Sequence, residues 1–256
     1  MTINVATLPT QQIEDIEDDA QRLLEAYFNK LGTQVLIPIP VDEIIEHHLG
    51  FSLSFCDLGS LFGMPSTDVL GAMLIDSREV LINKRLDPDE HPEMEGRFHF
   101  TCGHEVGHWC EHRSYLIRAG FQICRSSQAK AWIERQIERQ ADHFSACLLM
   151  PREHVLAAWS NHFGSSKPFV FADVADHSDQ DWTRRNKYRA SWPREPQKHH
   201  ERAFGTISKK FAPMFRVSPL AMRIRLENLG LLRIDHPPDP RHLTPFGRSE
   251  AYSCRR

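Results

Sequence analysis

The stretch His104-Glu105-Val106-Gly107-His108 constrains this chain more than any other feature. On a helix, residues four apart lie one turn apart on the same face, so both imidazoles can reach one metal ion while Glu105 sits beside them. Neutral imidazole suits a borderline-soft divalent ion, with Zn–N bonds of about 2.0–2.1 Å. An ion held by only three protein groups keeps a position for water and lowers that water's pKa towards neutrality. A carboxylate next to the first ligand can take the water's proton and later hand it to a leaving amine, and Glu105 is the candidate. The same five residues also read as an exposed helix with two histidines by coincidence, in a chain with 15 His. A third ligand is therefore needed.

A second helical stretch, Trp132 to Pro151, offers one. Ile133, Ile137, Ala141, Phe144 and Leu148 recur at helical spacing as a core stripe, and Pro151 marks the stop. Glu138 and Asp142 sit one turn apart beside that stripe, so Glu138 can ligate the ion while Asp142 accepts a hydrogen bond from the free ring nitrogen of a metal-bound His. Glu134, one turn further back, is the competing ligand. The plainer reading is a row of solvated charges on an amphipathic helix.

Taken together, the two segments resemble the ImmA/IrrE metallopeptidases, in which a His-Glu-x-x-His helix is followed by Glu-x-x-Ala-Asn/Asp-x-Phe-x-x-x-Leu-Leu-Met-Pro. This chain supplies Glu138, Ala141, Asp142, Phe144, Leu148, Leu149, Met150 and Pro151 in that order. The resemblance implies a zincin-like metallopeptidase with His104, His108 and Glu138 as metal ligands and Glu105 as catalytic base. It further implies a regulatory protease that hydrolyses a helix-turn-helix transcriptional repressor, often one encoded nearby in a mobile element or stress response. Zinc is the expected ion, and a His/His/Glu set also suits Mn2+ or Fe2+. The chain departs from its relatives at Cys102-Gly103, where they usually carry Leu-Ala, and at Gln140, where they often have Glu. Both departures lie outside the expected ligands.

Composition bounds the alternatives. A chain of 256 residues with 41% apolar and 25% charged residues can bury a substantial core in one large or two small domains. The net charge of -3 gives no global field for nucleic acid, although a local basic patch remains open. No apolar run reaches the ~18 residues of a membrane span, and the first twenty residues are acidic with no signal-peptide core, so the expected location is cytoplasmic. The six cysteines show no close-paired spacing, and in a reducing cytosol they read as small buried hydrophobes. Cys102 and Cys110 flank the motif, and a redox sensor there would need an exposed thiol of lowered pKa.

The rest of the chain predicts an α+β fold with a small antiparallel sheet. A helix capped by Thr10 runs to Leu31 with Ile13, Ile16, Ala20, Leu23, Leu24, Tyr27, Phe28 and Leu31 on one face. A shorter one spans Val41 to Leu49. Strands are expected around Phe51 to Phe55, Leu70 to Ile75 and Glu79 to Asn83, and an exposed edge could hold an extended substrate peptide. A short helix from Ser114 to Gly120 is plausible. His112 lies one turn beyond His108, as an extra ligand or a residue behind the site. For stabilising an oxyanion, Tyr115, His143 and His154 are the candidates.

The expected organisation is a zincin-like domain over 1–164, an insertion or lid-like loop over 165–202, a helix-turn-helix-like segment over 203–233 and a flexible tail over 234–256. In 203–233, Ser218 reads as a cap with Pro219 at the first helical position, and Lys209, Lys210, Arg216, Arg223 and Arg225 add positive charge. Structural support or substrate docking is favoured there over DNA binding. The competing function is a DNA-binding or sensor protein with a structural or vestigial metal site, and such a site needs neither Glu105 nor an open coordination position.

Overall fold

The computed structural model of the chain describes residues 13–63, 69–114, 128–172 and 197–235. The expected cap Thr10, Tyr115 with nearly all of the helix expected over 114–120, the stretch 173–196 of the expected insertion and the tail beyond 235 lie outside the described residues. Helix α1 (Ile13–Leu31) buries Ile16, Ala20, Leu24, Tyr27 and Phe28, the stripe its periodicity predicts, while Leu31 is exposed. Helix α2 (Val41–Glu43) passes directly into a π-helical turn, Ile44–His48, with Val41, Ile44 and Ile45 buried.

Strands β1 (Ser52–Cys56), β2 (Gly71–Leu74) and β3 (Glu79–Asn83) form one sheet in the order β1-β3-β2. The expectation of an antiparallel sheet holds only for β2 and β3; β1 runs parallel to β3. The reason is topological. Between β1 and β3 the chain passes through α3 (Leu58–Phe62) and then lays β2 on the far flank of β3, so it re-enters β3 in the direction in which it left β1. Among the described residues β1 and β2 are therefore the two edges. The β2–β3 turn carries Arg78 at φ 54, and from there its guanidinium donates to the Gly50 and Leu49 carbonyls and lies 4.7 Å from the centre of the Phe51 ring.

Helix α4 (Glu95–Gly107) carries the first motif and continues as a π-helical turn, His108–His112. Helix α5 (Gln128–Leu149) carries the second and packs along α4 and α1. The contact with α4 is made by small residues. A Cβ added at Gly107 would lie 3.0 Å from Ala141 Cα and 3.1 Å from its carbonyl oxygen, and one at Gly103 would lie 2.6 Å from Ser145 Oγ. Ser145 Oγ donates to the Phe100 carbonyl at 2.9 Å, tying the two backbones together.

Helix α6 (Arg152–Phe163) follows Pro151, and β4 (Phe169–Ala172) follows it. The expected insertion thus carries a strand near its start, and its last residues already belong to α7 (Gln197–Phe211). After a 3-10 turn (Ala212–Phe215) comes α8 (Pro219–Asn228), whose first turn is capped by Ser218 Oγ accepting from Ala221 N–H at 3.1 Å. Strand β5 (Leu232–Asp235) then pairs in parallel with β4, a second sheet that periodicity did not reveal. Phe204, Phe211, Phe215, Met222 and Leu226 join the same buried cluster as α1, α4 and α5.

Arg225 on α8 is 1% exposed. Its guanidinium donates to the Met150 carbonyl at 3.0 Å, to Cys147 Sγ at 3.3 Å and to the Glu17 carboxylate on α1. Arg152 reaches the same carboxylate, and although burial opposes the charge, the two arginines hold Glu17 below the usual carboxylate range. A carboxyl whose folded pKa is depressed adds stability that is complete above its unfolded value near 4.5 and is lost as pH falls through the lower folded value. Glu17→Gln should cost about 3 kcal/mol in urea unfolding at pH 7, by leaving a buried guanidinium without its counter-charge. The gap to the parent chain should close as the pH is taken below 4.5.

Candidate metal and catalytic site

One helical turn on α4 and one side chain on α5 build the site. His104 Nε2 and His108 Nε2 lie 3.0 Å apart, and the Glu138 carboxylate lies 3.2 Å from the first and 3.6 Å from the second. An ion with tetrahedral bonds of about 2.0–2.1 Å would separate three such donors by about 3.3 Å, so the set fits a small divalent cation. It is the group among the described residues whose donor atoms converge closely enough, all within 4.8 Å of one another. The close approach at Gly107 and Ala141 makes this possible, since it brings Glu138, one turn before Ala141, over the two rings.

The far edge of each ring is also engaged. His104 Nδ1 lies 2.9 Å from Asp142 Oδ1, so a carboxylate accepts from that ring and leaves Nε2 for a ligand. His108 Nδ1 lies 3.3 Å from His112 Nδ1, whose own Nε2 lies 2.9 Å from Gln140 Oε1. His112 is buried behind His108 and stands outside the convergent group. Of the sequence-based candidates for oxyanion stabilisation, His143 turns to Cys147 Sγ at 3.5 Å and His154 to the Val35 carbonyl at 3.1 Å, and neither lines the site. The Glu134 side chain lies outside the described residues.

Glu105 is buried on the adjoining face of α4, beneath the edge strand. Burial pushes its carboxyl up to about 7, partly opposed by the charge of His104 and by a hydrogen bond from the Met73 backbone N–H. Gly71 on the same strand leaves no room for a side chain, because a Cβ there would meet Glu105 Oε1 at 2.6 Å and Thr101 Cγ2 at 2.7 Å. Sequence reasoning missed this pair of backbone contacts, although Gly71 inside the expected strand Leu70 to Ile75 was a readable hint of close approach. The resulting cleft of about 280 Å³ runs between Val69–Gly71 and the α4 face that bears Phe100, Thr101 and His104.

The rings titrate in opposite directions. Burial works against a charge on His104, but its hydrogen bonds to Asp142 and Glu138 prevail and hold it at about 10. Burial and then the charge of His104 push His108 down to about 4, and the hydrogen bond with His104 keeps Glu138 low. The cluster is arranged around one positive charge placed between the rings and Glu138. The cysteines beside it do not suit redox sensing: burial raises the Cys102 thiol well above its ordinary value. Cys110, exposed as a residue, has its thiol pushed up to about 12 by burial of the sulfur and then by Glu111.

Residues 64–175 match the family model described as the IrrE N-terminal-like domain of a peptidase family, a span that takes in β2, α4, α5 and α6. These residues are an ImmA/IrrE-family domain. The IrrE-like domain therefore contains every residue of the site, and a metallopeptidase family implies a metal ion. A solved structure described as a Mycobacterium tuberculosis transcriptional regulator is similar at 16% identity, over 57% of this chain and 46% of its own length, with a TM-score of 0.37. This chain thus spans less than half of that structure. A comparison with curated proteins finds no match. No helix among the described residues is long and apolar enough to cross a membrane.

Removing the partner of the His104 ring should be felt at the metal. Asp142→Ala should weaken zinc binding about 10–100-fold in competition with a chromophoric chelator. The His104 pKa of the metal-free chain, followed by NMR, should fall from about 10 because a contributor that raises it is gone.

Proposed function

We propose that this chain is a zinc-dependent endopeptidase that cleaves a protein substrate, with His104, His108 and Glu138 as metal ligands and Glu105 as general base. Mn2+ or Fe2+ could occupy the same donor set. The observation that carries this reading is the convergence of two Nε2 atoms and one carboxylate beside a buried Glu whose pKa is near 7. When bound, the ion supplies a water of lowered pKa and polarises the scissile carbonyl. The chain's residues do the rest. Glu105, held by Met73 N–H and facing the cleft, accepts the attacking water's proton and passes it to the leaving amine. Asp142 holds His104 in the tautomer that presents Nε2. The outer edge of β2, unpaired with another strand among the described residues, lies beside the cleft, where an extended peptide can align by main-chain hydrogen bonds.

The substrate we propose is a helix-turn-helix repressor, which follows from the family resemblance, and the working compartment is the cytoplasm. We read 203–233 as a helix-turn-helix-like support or docking segment following the 1–164 domain, with 165–202 as an insertion and 234–256 as a tail. The alternative, a DNA-binding or sensor protein with a structural or vestigial metal site, would have the exposed Lys209 and Lys210 to draw on, but little from Arg216, Arg223 and Arg225. Arg225 is buried, Arg223 bonds Glu227 at 2.8 Å and Arg216 lies 3.5 Å from Glu95.

The test is incubation of the zinc-loaded chain with the helix-turn-helix repressor encoded nearest its gene. Cleavage should stop with a chelator and return with zinc. Glu105→Gln should keep the metal and slow cleavage about 10²–10⁴-fold. The rate should fall on the acid side with a midpoint at or below about 7, since the base must be ionised and a bound cation favours the carboxylate. Gly71→Ala should also slow cleavage with zinc binding retained, because its methyl displaces the Glu105 carboxylate. A chain that binds zinc but leaves the repressor intact under all these conditions would overturn the substrate assignment.

A further inference from the structure

Among the described residues, the group at the back of the His108 ring is another histidine. His108 Nδ1 faces His112 Nδ1 at 3.3 Å, and His112 Nε2 faces the Gln140 amide oxygen at 2.9 Å. Both contacts need one donor and one acceptor, so the polarity of this three-residue chain is set at its outer end. With the Gln140 oxygen turned inward, His112 donates from Nε2–H, its Nδ1 accepts from His108 Nδ1–H, and His108 Nε2 is left with a lone pair. With the amide turned over, its NH2 donates to His112 Nε2. His112 Nδ1–H then donates to His108 Nδ1, and the proton of His108 comes to Nε2. That second arrangement points an N–H into the space between His104 and Glu138 and cannot ligate. His112 is only 2% exposed, so bulk water does not compete for its ring nitrogens.

We infer that Gln140 and His112 are positioning residues: together they form a hydrogen-bond relay of defined polarity that keeps His108 in its Nδ1–H tautomer and so makes it a metal ligand. The inference rests on the proposed metal site. It goes beyond that site in assigning the tautomer of one ligand to a neutral amide 32 positions away in sequence and on another helix. Asp142 can only accept, whereas Gln140 can face either way. The His108 arm is thus the reversible one of the two.

The full-length chain is loaded with zinc, and the ring tautomers of His108 and His112 are read from long-range proton–nitrogen correlations. Zinc affinity is measured by chelator competition for the parent, Gln140→Leu and Gln140→Glu. The relay predicts Nδ1–H on His108 and Nε2–H on His112. It also predicts a loss of zinc affinity of about 10–100-fold in Gln140→Leu, and retention within a few-fold in Gln140→Glu, whose oxygens can only accept. Unfolding of the metal-free Gln140→Leu chain should match the parent, which separates lost ligation from lost folding. Zinc binding by the parent with the proton of His112 on Nδ1, or undiminished affinity in Gln140→Leu, overturns the relay alone. A parent chain that binds no zinc overturns the site and the relay together.

Discussion

The close approach of α4 to α5 is the constraint on which the site depends. Two helices packed through ordinary side chains lie 8–10 Å apart, and shorter separations require small residues at the crossing. Here Gly103 and Gly107 meet Ser145 and Ala141, with a serine hydroxyl bonded to the facing backbone. Glu138 is one turn from Ala141, and His104 follows Gly103 directly and is one turn from Gly107. The distance between carboxylate and imidazoles is therefore set by backbone contact, which leaves little freedom for adjustment. A Cβ at Gly103 would lie 2.6 Å from Ser145 Oγ, so the glycine is what lets that contact be made.

The sheet acts on the same site from the other side. β2 is an edge strand, and instead of leaving its inner face to water it lays Gly71 against Glu105 and donates Met73 N–H to that carboxylate. The strand that would align a substrate is thus in physical contact with the group that would act on it. Arg78 anchors the other end of the same hairpin, bonding the Leu49 and Gly50 carbonyls and lying over Phe51, with Trp109 of the helix 5.8 Å away. Sheet and motif helix are held together at both ends of the hairpin, so displacement of one carries the other.

What could be read in the sequence divides by the range of the interaction. The motif helix, the stripe of α5, the stripe of α1, the Ser218 cap and the three strands are short-range patterns, and the structure places them close to where the pattern does. The bringing together of His104, His108 and Glu138 was anticipated from helical spacing plus one family pattern, since spacing alone left Glu134 open. Long-range features were not legible. The parallel pairing of β1 depends on where β2 is laid, and β4 and β5 are four-residue strands some sixty positions apart. Arg225 reads as surface charge on a basic segment, yet its partner Glu17 is 208 residues away and buries it. The roles of Gly71 and Met73 are exerted by backbone, which residue chemistry does not announce.

The electrostatics of the cluster explain why so much polar chemistry is tolerated near a core. Glu105, Glu138 and Asp142 bring three carboxyls to one small volume, and burial alone would drive protons onto Glu105 and Glu138. Instead only Glu105 is pushed up to about 7, by burial and against the charge of His104, while the hydrogen bond with His104 holds Glu138 low. A proton on His104 can be that charge, as its value of about 10 indicates. A divalent cation in the same place would carry more charge at the same point and would take the Nε2 lone pairs of both rings in place of that proton. Glu105 would lose its excess basicity and gain a stronger reason to ionise. Burial raises Glu105 towards neutrality in the bare cluster, and a cation beside it would offset that burial, so ionisation of Glu105 would follow occupancy of the site.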